Sequence, residues 1–366
     1  MQPGIYIGIM SGTSLDGIDA VAVEFTASNV AHSLGHYHLP YDAPLRAECL
    51  ALNTPCANEL ERAALIASTL ARLYAETTRQ LLDLTGISHR DINAIGCHGQ
   101  TVRHRPDLGY SIQLVNPALL AELSNITVVA DFRSRDIAAG GQGAPLVPAF
   151  HAAVFRHPEI HRIIVNIGGI ANLTDLPPQD RVGGFDCGPG NLLLDGWVSR
   201  HQGTAYDKDG NWARAGTPIP ELLADMLADP YFSAPPPKST GRDLFNLSWL
   251  EKLITPSLQA ADVQATLLDL TARSISAATG SHCHAAREMY LCGGGAHNSA
   301  LVERLKKLLP ALTLDTTEVL GIPVDQVEAC AFAWLAKQAL TGETGNLPNI
   351  TGATGTRILG AIYPAR

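Results

Sequence analysis

The chain has 366 residues, of which 46% are apolar and 17% are charged, and its formal net charge is −9. This length and composition predict a globular protein of two domains with a sizeable core. The negative charge and the lack of a basic run argue against a nucleic-acid partner. An anionic ligand must therefore be held by local dipoles and a few cationic side chains.

The sequence also predicts where the protein acts. Its seven cysteines are scattered without a CxxC pair, which favours a reducing compartment. Met1 leads directly into a predicted strand, without a signal-peptide pattern. No apolar run reaches the roughly 18 residues of a membrane span. We therefore expect a cytoplasmic protein without a membrane partner.

The first predicted element is a β-hairpin over residues 5–25. Ile5, Ile7 and Ile9 alternate with other residues, and the β-rich run AVAVEF follows the turn. The turn itself, SGTSLDG, contains glycines, hydroxyls and an acid. Glycines let backbone amides approach an anion, and hydroxyls can donate to it. The turn is a candidate phosphate loop, although glycine and serine are also common in ordinary turns.

Strands and helices alternate through the rest of the first half. The predicted elements are a strand at 33–41, a helix at 58–85, a short strand at 94–97 that opens into the loop CHGQTVRH, a strand at 111–115, a helix that begins at Asn116 and Pro117, and a strand at 126–131. This alternation predicts an α/β architecture.

The second half restarts the pattern. Residues 162–176 again predict a strand, a glycine-rich turn and a strand, which suggests a structural duplication with a cleft between the halves. GFDCGPGN then precedes a helix at 192–200, and the proline-rich segment 235–250 predicts an ordered excursion or lid. Helices are predicted at 265–278 and 323–340. We place the first domain at 1–140 and the second at 141–366, with the last helix and tail able to pack back on the first domain.

Three glycine-rich turns follow predicted strands, at 12–17, 168–169 and 293–295. Each can bring backbone amides to a phosphate. None matches GxxxxGK[ST], so the chain is not a P-loop protein. No GxGxxG opens a helix after a strand, which disfavours a Rossmann site. Three such turns, two of them opening equivalent halves, favour a nucleotide held between domains.

Seven runs spread over nearly the whole chain carry a family resemblance. They are MSGTSLDGIDA, CHGQTVRH, VVADFRSRDIAAGGQGAPLVPAFH, VNIGGIANLT, GFDCGPGN, KSTGR and LCGGGAHN. Together they resemble the anhydro-N-acetylmuramic acid kinase family. That family is similar in fold to the sugar kinase, Hsp70 and actin superfamily, which has two α/β domains around a nucleotide cleft.

The resemblance implies an ATP- and Mg²⁺-dependent enzyme of peptidoglycan recycling that acts as a homodimer. Its reaction opens the 1,6-anhydro ring of anhydro-N-acetylmuramic acid with water and phosphorylates O6. The products are N-acetylmuramic acid 6-phosphate and ADP.

The resemblance also implies roles for residues of this sequence. Asp186 corresponds to the catalytic base. The nucleotide-binding residues are the first phosphate loop, the second phosphate loop and the adenosine loop, namely Gly12, Thr13, Ser14, Leu15, Asp16, Gly17, Ile18 and Asp19, then Gly168 and Gly169, then Gly293, Gly294 and Gly295.

The metal ligands are not assigned by the resemblance. The superfamily's first loop usually carries an aspartate near Mg²⁺, but this chain has Met10 or Ser11 there. Asn166 stands where the second loop often has an acid. Asp16 and Asp19 are the substitutes, and the sequence does not rank them.

Asp186 also has a chemical argument of its own. Hydrolytic ring opening needs a carboxylate that takes a proton from the attacking water. Phosphoryl transfer depends mainly on positioning and charge stabilisation, and the oxygen released from the anhydro bridge can itself attack phosphorus. A separate general acid is then unnecessary. The competing interpretation is that Asp186 is a turn or capping residue among glycines.

Two charged residues are candidate substrate contacts. Arg133 follows a strand end, and a guanidinium suits the lactyl carboxylate of the sugar; otherwise it forms an ion pair with Asp131 or Asp136. Glu328 lies among apolar neighbours in the predicted last helix, which is unusual for a core face. It is expected either to contact a sugar hydroxyl or amide or to cap a neighbouring loop.

Four polar residues complete the candidates. His98, Gln100 and Thr101 lie in the predicted loop after 94–97, a common location of ligand contacts in α/β folds; otherwise they hydrogen-bond within that loop. Lys238 of KSTGR either approaches a phosphate or faces solvent.

Two other functions remain open from the sequence. One is a plain amino-sugar kinase that phosphorylates an existing hydroxyl. The other is an actin- or Hsp70-like nucleotide switch, although no peptide-binding appendage follows the predicted nucleotide domains. A sugar-sensing repressor is disfavoured because no helix-turn-helix precedes the first strand.

Overall fold

The computed structural model describes residues 4–12, 14–26, 30–236 and 238–365. Its strands are β1 (Gly4–Ser11), β2 (Gly17–Phe25), β3 (Ala31–Pro40), β4 (Ile92–Arg105), β5 (Tyr110–Leu114), β6 (Val128–Ala130), β7 (Arg162–Ile167), β8 (Ile170–Leu176), β9 (Gly183–Pro189), β10 (Glu288–Cys292), β11 (Thr313–Thr316) and β12 (Ala361–Tyr363).

The α-helices follow in the same chain order. They are α1 (Ala43–Ala51), α2 (Glu59–Thr85), α3 (Pro117–Ser124), α4 (Ser134–Ala138), α5 (Val147–Val154), α6 (Leu192–Gln202), α7 (Asn211–Ala215), α8 (Pro220–Leu227), α9 (Pro230–Ser233), α10 (Leu247–Glu251), α11 (Ala260–His282), α12 (Ser299–Leu308), α13 (Val327–Thr341) and α14 (Pro348–Thr351). None of the helices in these described ranges is long and apolar enough to cross a membrane.

The chain forms two compact units. The first comprises Met1–Val154 and Gln326–Arg366, and the second comprises Phe155–Asp325. The boundary that the sequence suggested, after residue 140, falls inside the first unit and before α5. Helix α13 and the C-terminal segment belong to the first unit.

The sheet of the first unit is built around β1. Its strand order is β12-β6-β4-β1-β2-β3, and β5 pairs with the outer part of β4. Strand β1 is antiparallel to β2 and parallel to β4. Ile7 and Ile9 are fully buried and share a core with Leu70 and Tyr74 of α2. Because side chains alternate along a strand, Gly8, which lies between these two isoleucines, must face the other side of the sheet.

Helix α13 packs on that other side, and two glycines set its distance. A side chain at Gly8 of β1 would collide with the carbonyl oxygen of Ala329, and one at Gly96 of β4 would collide with that of Phe332. The helix backbone thus lies directly on the strands. This contact fixes the position of the first turn of α13, which carries Glu328.

The second unit repeats the topology of the first. Its sheet has the order β11-β10-β7-β8-β9, with β7 antiparallel to β8 and parallel to β10. The order β6-β4-β1-β2-β3 in the first unit has the same pattern of chain order and direction. The duplication predicted from the two glycine-rich hairpins is confirmed.

One predicted loop is wrong. CHGQTVRH continues β4, which runs to Arg105 instead of ending at Cys97. Beyond the part that pairs with β1, β4 gains β5 as an antiparallel partner, so the strand extends. The misleading signal was Gly99, whose φ of 76° accommodates an irregularity within the strand. His98, Gln100 and Thr101 therefore lie on a strand.

Candidate functional site

The loop between β1 and β2 is a tight turn. The amide of Leu15 donates to the carbonyl of Gly12 at 3.2 Å. Leu15 has a φ of 57°, a left-handed conformation that is costly for a leucine, and its side chain is buried. Thr13, which the sequence assigned to this loop, lies outside the described residues. The turn is thus held in a strained conformation by what surrounds it.

The carboxylate of Asp16 stabilises the second half of this loop. Asp16 Oδ1 accepts hydrogen bonds from the hydroxyl of Ser14 at 2.8 Å and from the amide of Gly17 at 3.0 Å. Ser14 and Asp16 are exposed, whereas Gly17 and Ile18 are buried. The hydroxyl and carboxylate of the loop therefore remain accessible to a ligand.

Asp19 lies on β2 beside two histidines. Its Oδ1 contacts Nε2 of His36 at 2.8 Å and Nδ1 of His38 at 3.0 Å. Burial opposes ionisation of Asp19, but the hydrogen bonds from the two histidines outweigh it and lower the pKa of Asp19. Asp19 is therefore an anion throughout the physiological range.

Glu328 places a third carboxylate near the first loop. It lies in the first turn of α13 and is exposed. Desolvation by the surrounding protein raises the pKa of Glu328; the positive charge of Arg133 opposes this rise, and the negative charges of Asp19 and Asp16 add to it. The carboxylate of Glu328 is thus close enough to those of Asp19 and Asp16 to be repelled by both.

Arg133 is held by two acceptors. Its Nη1 donates to the carbonyl of Gly143 at 2.7 Å, and its Nη2 donates to Nε2 of His98 at 2.7 Å. Burial lowers the pKa of Arg133 to about 10, against the favourable charge of Glu328. Burial and the nearby guanidinium lower the pKa of His98 well below its usual value. His98 is therefore a neutral acceptor, and Arg133 keeps its charge.

The ion pairs that the sequence offered for Arg133 are not formed. Asp131 instead accepts from the hydroxyl of Ser134. Asp136 is fully buried and accepts from Gly143, Asn346 and Thr351. The charge of Arg133 is therefore not neutralised by the two acids nearest to it in sequence.

Gln100 and Thr101 differ in accessibility. The side chain of Gln100 is fully buried, and its Nε2 donates to the carbonyl of Gly12 at 3.1 Å. Thr101 is half-buried and accepts from Gln113 at 3.1 Å. The sequence grouped the two residues together, but only Thr101 is partly exposed.

In the second unit, the turn at Gly168 and Gly169 is tied by backbone bonds. The amides of Gly190 and Leu192 donate to the carbonyl of Gly169, and the amide of Asn191 donates to that of Gly168, at 2.8–3.1 Å. The segment GPGN thus lies against the turn. A side chain at Gly190 would collide with the carbonyl oxygen of Gly168.

The loop at Gly293, Gly294 and Gly295 lies beside this turn. Strand β10 pairs in parallel with β7, with Cys292 opposite Asn166. Both loops therefore follow the carboxyl ends of adjacent parallel strands. A side chain at Gly293 would meet Asn166, and one at Gly295 would meet Ile167. The structure thus brings the second and third predicted nucleotide loops together within one unit.

Asn191 was missed as a functional candidate. Its Nδ2 donates to the carbonyl of Ile167 at 3.2 Å, and it lies within van der Waals reach of the position that a side chain at Gly294 would take. It therefore links the two glycine loops. The motif GFDCGPGN contained it, but the sequence gives no sign of which residue of that motif spans the loops.

Asp186 lies on the edge strand β9 and is half-buried. Its Oδ2 accepts a hydrogen bond from the backbone amide of Thr240 at 3.0 Å. Burial raises the pKa of Asp186, and the bond from Thr240 partly offsets that rise. A half-buried carboxylate with a raised pKa and one oxygen fixed has the properties of a general base.

The segment that contains Thr240 is fastened to β9. The amide of Asp186 donates to the carbonyl of Lys238 at 3.2 Å, and the hydroxyl of Tyr231 donates to the carbonyl of Asp186 at 2.7 Å. Nζ of Lys238 donates to the carbonyls of Tyr231 and Phe232. Lys238 therefore braces this segment. KSTGR was noticed in the sequence, but the role of Thr240 was not.

The acids of the first unit fit a Mg²⁺ site of the open kind. Among the residues that the structure describes, no three His, Cys, Asp or Glu side chains form a metal cage. Mg²⁺ in phosphate-transfer sites commonly takes one or two carboxylates and fills its other positions with water and phosphate oxygens. Asp16, which is exposed, and Asp19, which is half-buried, are the carboxylates that the first unit offers for such a site.

Two α/β units with one strand order, each opening on a hairpin with a glycine-containing turn, define the duplicated architecture of the sugar kinase, Hsp70 and actin superfamily. Sequence comparison narrows this class. Residues 4–365 match the family model of anhydro-N-acetylmuramic acid kinase. The chain belongs to this family.

Curated relatives are similar over nearly their whole length. The anhydro-N-acetylmuramic acid kinase of Nitrosomonas europaea is 57% identical over 363 residues, which are 98% of this chain and 99% of the relative. That of Thiobacillus denitrificans is also 57% identical, over 98% of this chain and 97% of the relative. A solved ROK family glucokinase from Streptomyces griseus is 13% identical, with a TM-score of 0.41 over 92% of this chain and 100% of the glucokinase.

Proposed function

We propose that the protein is an ATP-dependent kinase that opens the 1,6-anhydro ring of anhydro-N-acetylmuramic acid and phosphorylates O6, as a step of peptidoglycan recycling. The chain belongs to the family of that name over residues 4–365. The observation that carries the mechanism is Asp186, a half-buried carboxylate whose pKa is raised and whose Oδ2 is fixed by Thr240.

Asp186 acts as the base in this mechanism. It takes a proton from water while the water oxygen bonds to the anomeric carbon and the bond from that carbon to O6 breaks. O6 keeps the electron pair and bonds to the γ-phosphorus, and the bond from the γ-phosphorus to the leaving ADP oxygen breaks. The proton on Asp186 then passes to solvent. Such a base typically contributes roughly 10²–10⁴-fold to the rate.

The glycine loops bind the nucleotide in this proposal. The β1–β2 loop and the turn at Gly168 and Gly169 offer backbone amides to phosphates, and the loop at 293–295 receives the adenosine end. Asp16 and Asp19 are the carboxylates of the first unit that would hold Mg²⁺. When bound, this ion neutralises charge that develops on the phosphates.

Arg133 is the proposed contact for the lactyl carboxylate. Its guanidinium keeps its charge, is oriented by His98 and Gly143, and is not paired with Asp131 or Asp136. A planar guanidinium binds a carboxylate with directed hydrogen bonds. Thr101 and Glu328 are the proposed contacts for polar groups of the sugar, and His98 contributes by orienting Arg133.

The first experiment is a mass-spectrometric assay in ¹⁸O water. The protein is incubated with Mg-ATP and anhydro-N-acetylmuramic acid, beside an Asp186→Asn variant, and products are read at short times because the anomeric hydroxyl exchanges with water. We expect a phosphorylated, ring-opened sugar with one heavy oxygen at the anomeric carbon, and none from the variant. A phosphate on an intact anhydro ring would instead show plain kinase chemistry.

We also propose that the protein works as a homodimer, as the family resemblance implies, and in the cytoplasm, as its scattered cysteines favour. Size-exclusion chromatography with light scattering is expected to give twice the chain mass. A mass equal to one chain would overturn the dimer.

A further inference from the structure

Two buried side chains contact the residues where β1 ends and the β1–β2 loop begins. Gln100 and Tyr74 are both fully buried. Gln100 lies on β4, opposite Ser11 in the parallel register of β1 and β4. Tyr74 lies on α2, and its hydroxyl is 2.9 Å from the hydroxyl of Ser11, which is also buried. Two different elements therefore reach the same end of β1.

Gln100 uses both ends of its amide. Its Nε2 donates to the carbonyl of Gly12 at 3.1 Å, and its Oε1 accepts from the hydroxyl of Tyr41 at 3.2 Å. The carbonyl of Gly12 also closes the turn by accepting from Leu15. A fully buried amide with both ends bonded has no surface to offer a sugar.

The loop needs such support because Leu15 is left-handed. Strained backbone of this kind persists only when the surrounding structure over-determines it. Binding to a loop that is already in its bound conformation avoids the cost of ordering it. The supports under Ser11 and Gly12 therefore affect how tightly the loop holds an anion.

We infer that Tyr74 and Gln100 are positioning residues that hold the β1–β2 loop in its phosphate-binding conformation, and that Gln100 does not contact the sugar. The inference rests on the proposed function, since it takes this loop as the nucleotide phosphate site. It replaces the sugar contact that the sequence suggested for Gln100 with an effect on nucleotide affinity alone.

The test uses Tyr74→Phe and Gln100→Met in the full-length protein. The first removes one hydroxyl, and the second removes the amide with little change of volume. The matched control is Thr77→Val. Thr77 is fully buried on the same helix as Tyr74, and its hydroxyl donates only to the helix carbonyl of Leu73 at 2.7 Å. The Thr77→Val change removes a buried hydroxyl of α2 that does not reach the loop.

Calorimetric titration with Mg-ADP and, separately, with the anhydro sugar gives the decisive readout. We expect Kd for ADP to rise about tenfold in each variant, the change that corresponds to one hydrogen bond of roughly 1.4 kcal/mol. Kd for the sugar should stay unchanged. A weaker sugar affinity with normal ADP affinity, or a lower Tm with both affinities normal, would overturn the inference.

Hydrogen exchange separates this inference from the proposed function. The amide of Leu15 closes the turn, so its exchange in the ligand-free protein should accelerate in Tyr74→Phe and Gln100→Met and stay unchanged in Thr77→Val. If the unmodified protein fails to bind ADP, the proposed function is wrong, yet this measurement still tests the support. Unchanged exchange at Leu15 in both variants would refute it.

Discussion

The two units share one strand order but hold their glycine turns in different ways. In the first unit, buried side chains hold the start of the loop: the hydroxyl of Tyr74 bonds to the hydroxyl of Ser11, and Gln100 donates to the carbonyl of Gly12. In the second unit, the carbonyls of Gly168 and Gly169 accept backbone amides of residues 190–192. The shared strand order therefore determines where each turn lies, but the contacts that stabilise the turn differ between the two units.

This difference determines which mutations matter in each unit. A support made of side chains can be removed by a nearly isosteric substitution. A support made of backbone survives most substitutions and fails only where a new side chain, or a missing amide, disrupts the chain itself. Four substitutions test this contrast.

The largest expected effect is that of Asp136→Asn in the first unit. Asp136 accepts from Asn346 at 2.6 Å, Thr351 at 2.7 Å and the amide of Gly143 at 2.8 Å. The side-chain amide of an asparagine at this position would place an N–H group opposite one of these donors. We therefore expect the free energy of unfolding to fall by about 1.5–3 kcal/mol. Because Gly143 also holds Arg133, KM for the sugar should rise while KM for ATP stays constant.

Urea unfolding and steady-state kinetics measure these effects. The control is Asp83→Asn, which removes an exposed partner of Arg79 and should change the free energy of unfolding by less than about 1 kcal/mol. Equal stability of the Asp136→Asn variant and the unmodified protein would contradict the prediction.

Gly190→Ala should disturb the second unit through its backbone. The added methyl group would collide with the carbonyl oxygen of Gly168, and overpacking of this kind typically costs about 1–3 kcal/mol. We expect lower stability and a clear loss of ADP affinity, measured by urea unfolding and calorimetry. In the control, Gly169→Ala, the nearest atom is 3.9 Å away, so the free energy of unfolding should not change. Equal effects of both changes would break the contrast.

Thr240→Pro tests the backbone bond to Asp186. In the proposed mechanism Asp186 must be ionised, so we expect activity to fall as the pH falls through its pKa. Proline has no amide hydrogen, and loss of this bond should raise the pKa of Asp186 further. The acidic limb of the kcat profile should therefore move to higher pH, by about one pH unit. Thr240→Ala keeps the amide and should leave the limb in place; a shift in both variants would assign the effect to the side chain.

Asn191→Ala has the smallest expected effect. It removes the bond of 3.2 Å to the carbonyl of Ile167 and should cost about 0.5–1.5 kcal/mol. The backbone bonds of residues 190–192 remain, so ADP affinity should fall only a few fold by calorimetry. A loss as large as that of Gly190→Ala would show that the second turn also depends on a side chain.

The local patterns of the sequence were sufficient for the strands that form the two hairpins. Alternating isoleucines predicted β1, and the two glycine-rich turns predicted the duplication. Gly99 misled the prediction because a glycine within a strand and a glycine in a loop look alike in sequence. Only the pairing of β4 with β5 distinguishes them, and that pairing depends on residues that follow later in the chain.

The candidate site was predictable only where a motif is local. The glycine turns and Asp186 belong to short sequence motifs. Most of these residues lie in the loops and strands that the structure describes. The partners of these groups are distant in sequence: Thr240 lies 54 residues from Asp186, and Thr351 lies 215 residues from Asp136. The burial of Gln100 likewise depends on partners distant in sequence, Gly12 and Tyr41, and has no signature in CHGQTVRH.

The packing of α13 on Gly8 and Gly96 has a consequence for synthesis of the protein. The chain leaves the first unit at Val154 and returns to it at Gln326, so the second unit is an uninterrupted segment inserted into the first. During translation the second unit can fold as soon as it emerges, because domains generally fold as units. Until α13 has been synthesised, the first unit lacks the helix that covers one face of β1 and β4. The first unit to begin synthesis is therefore the last to be completed.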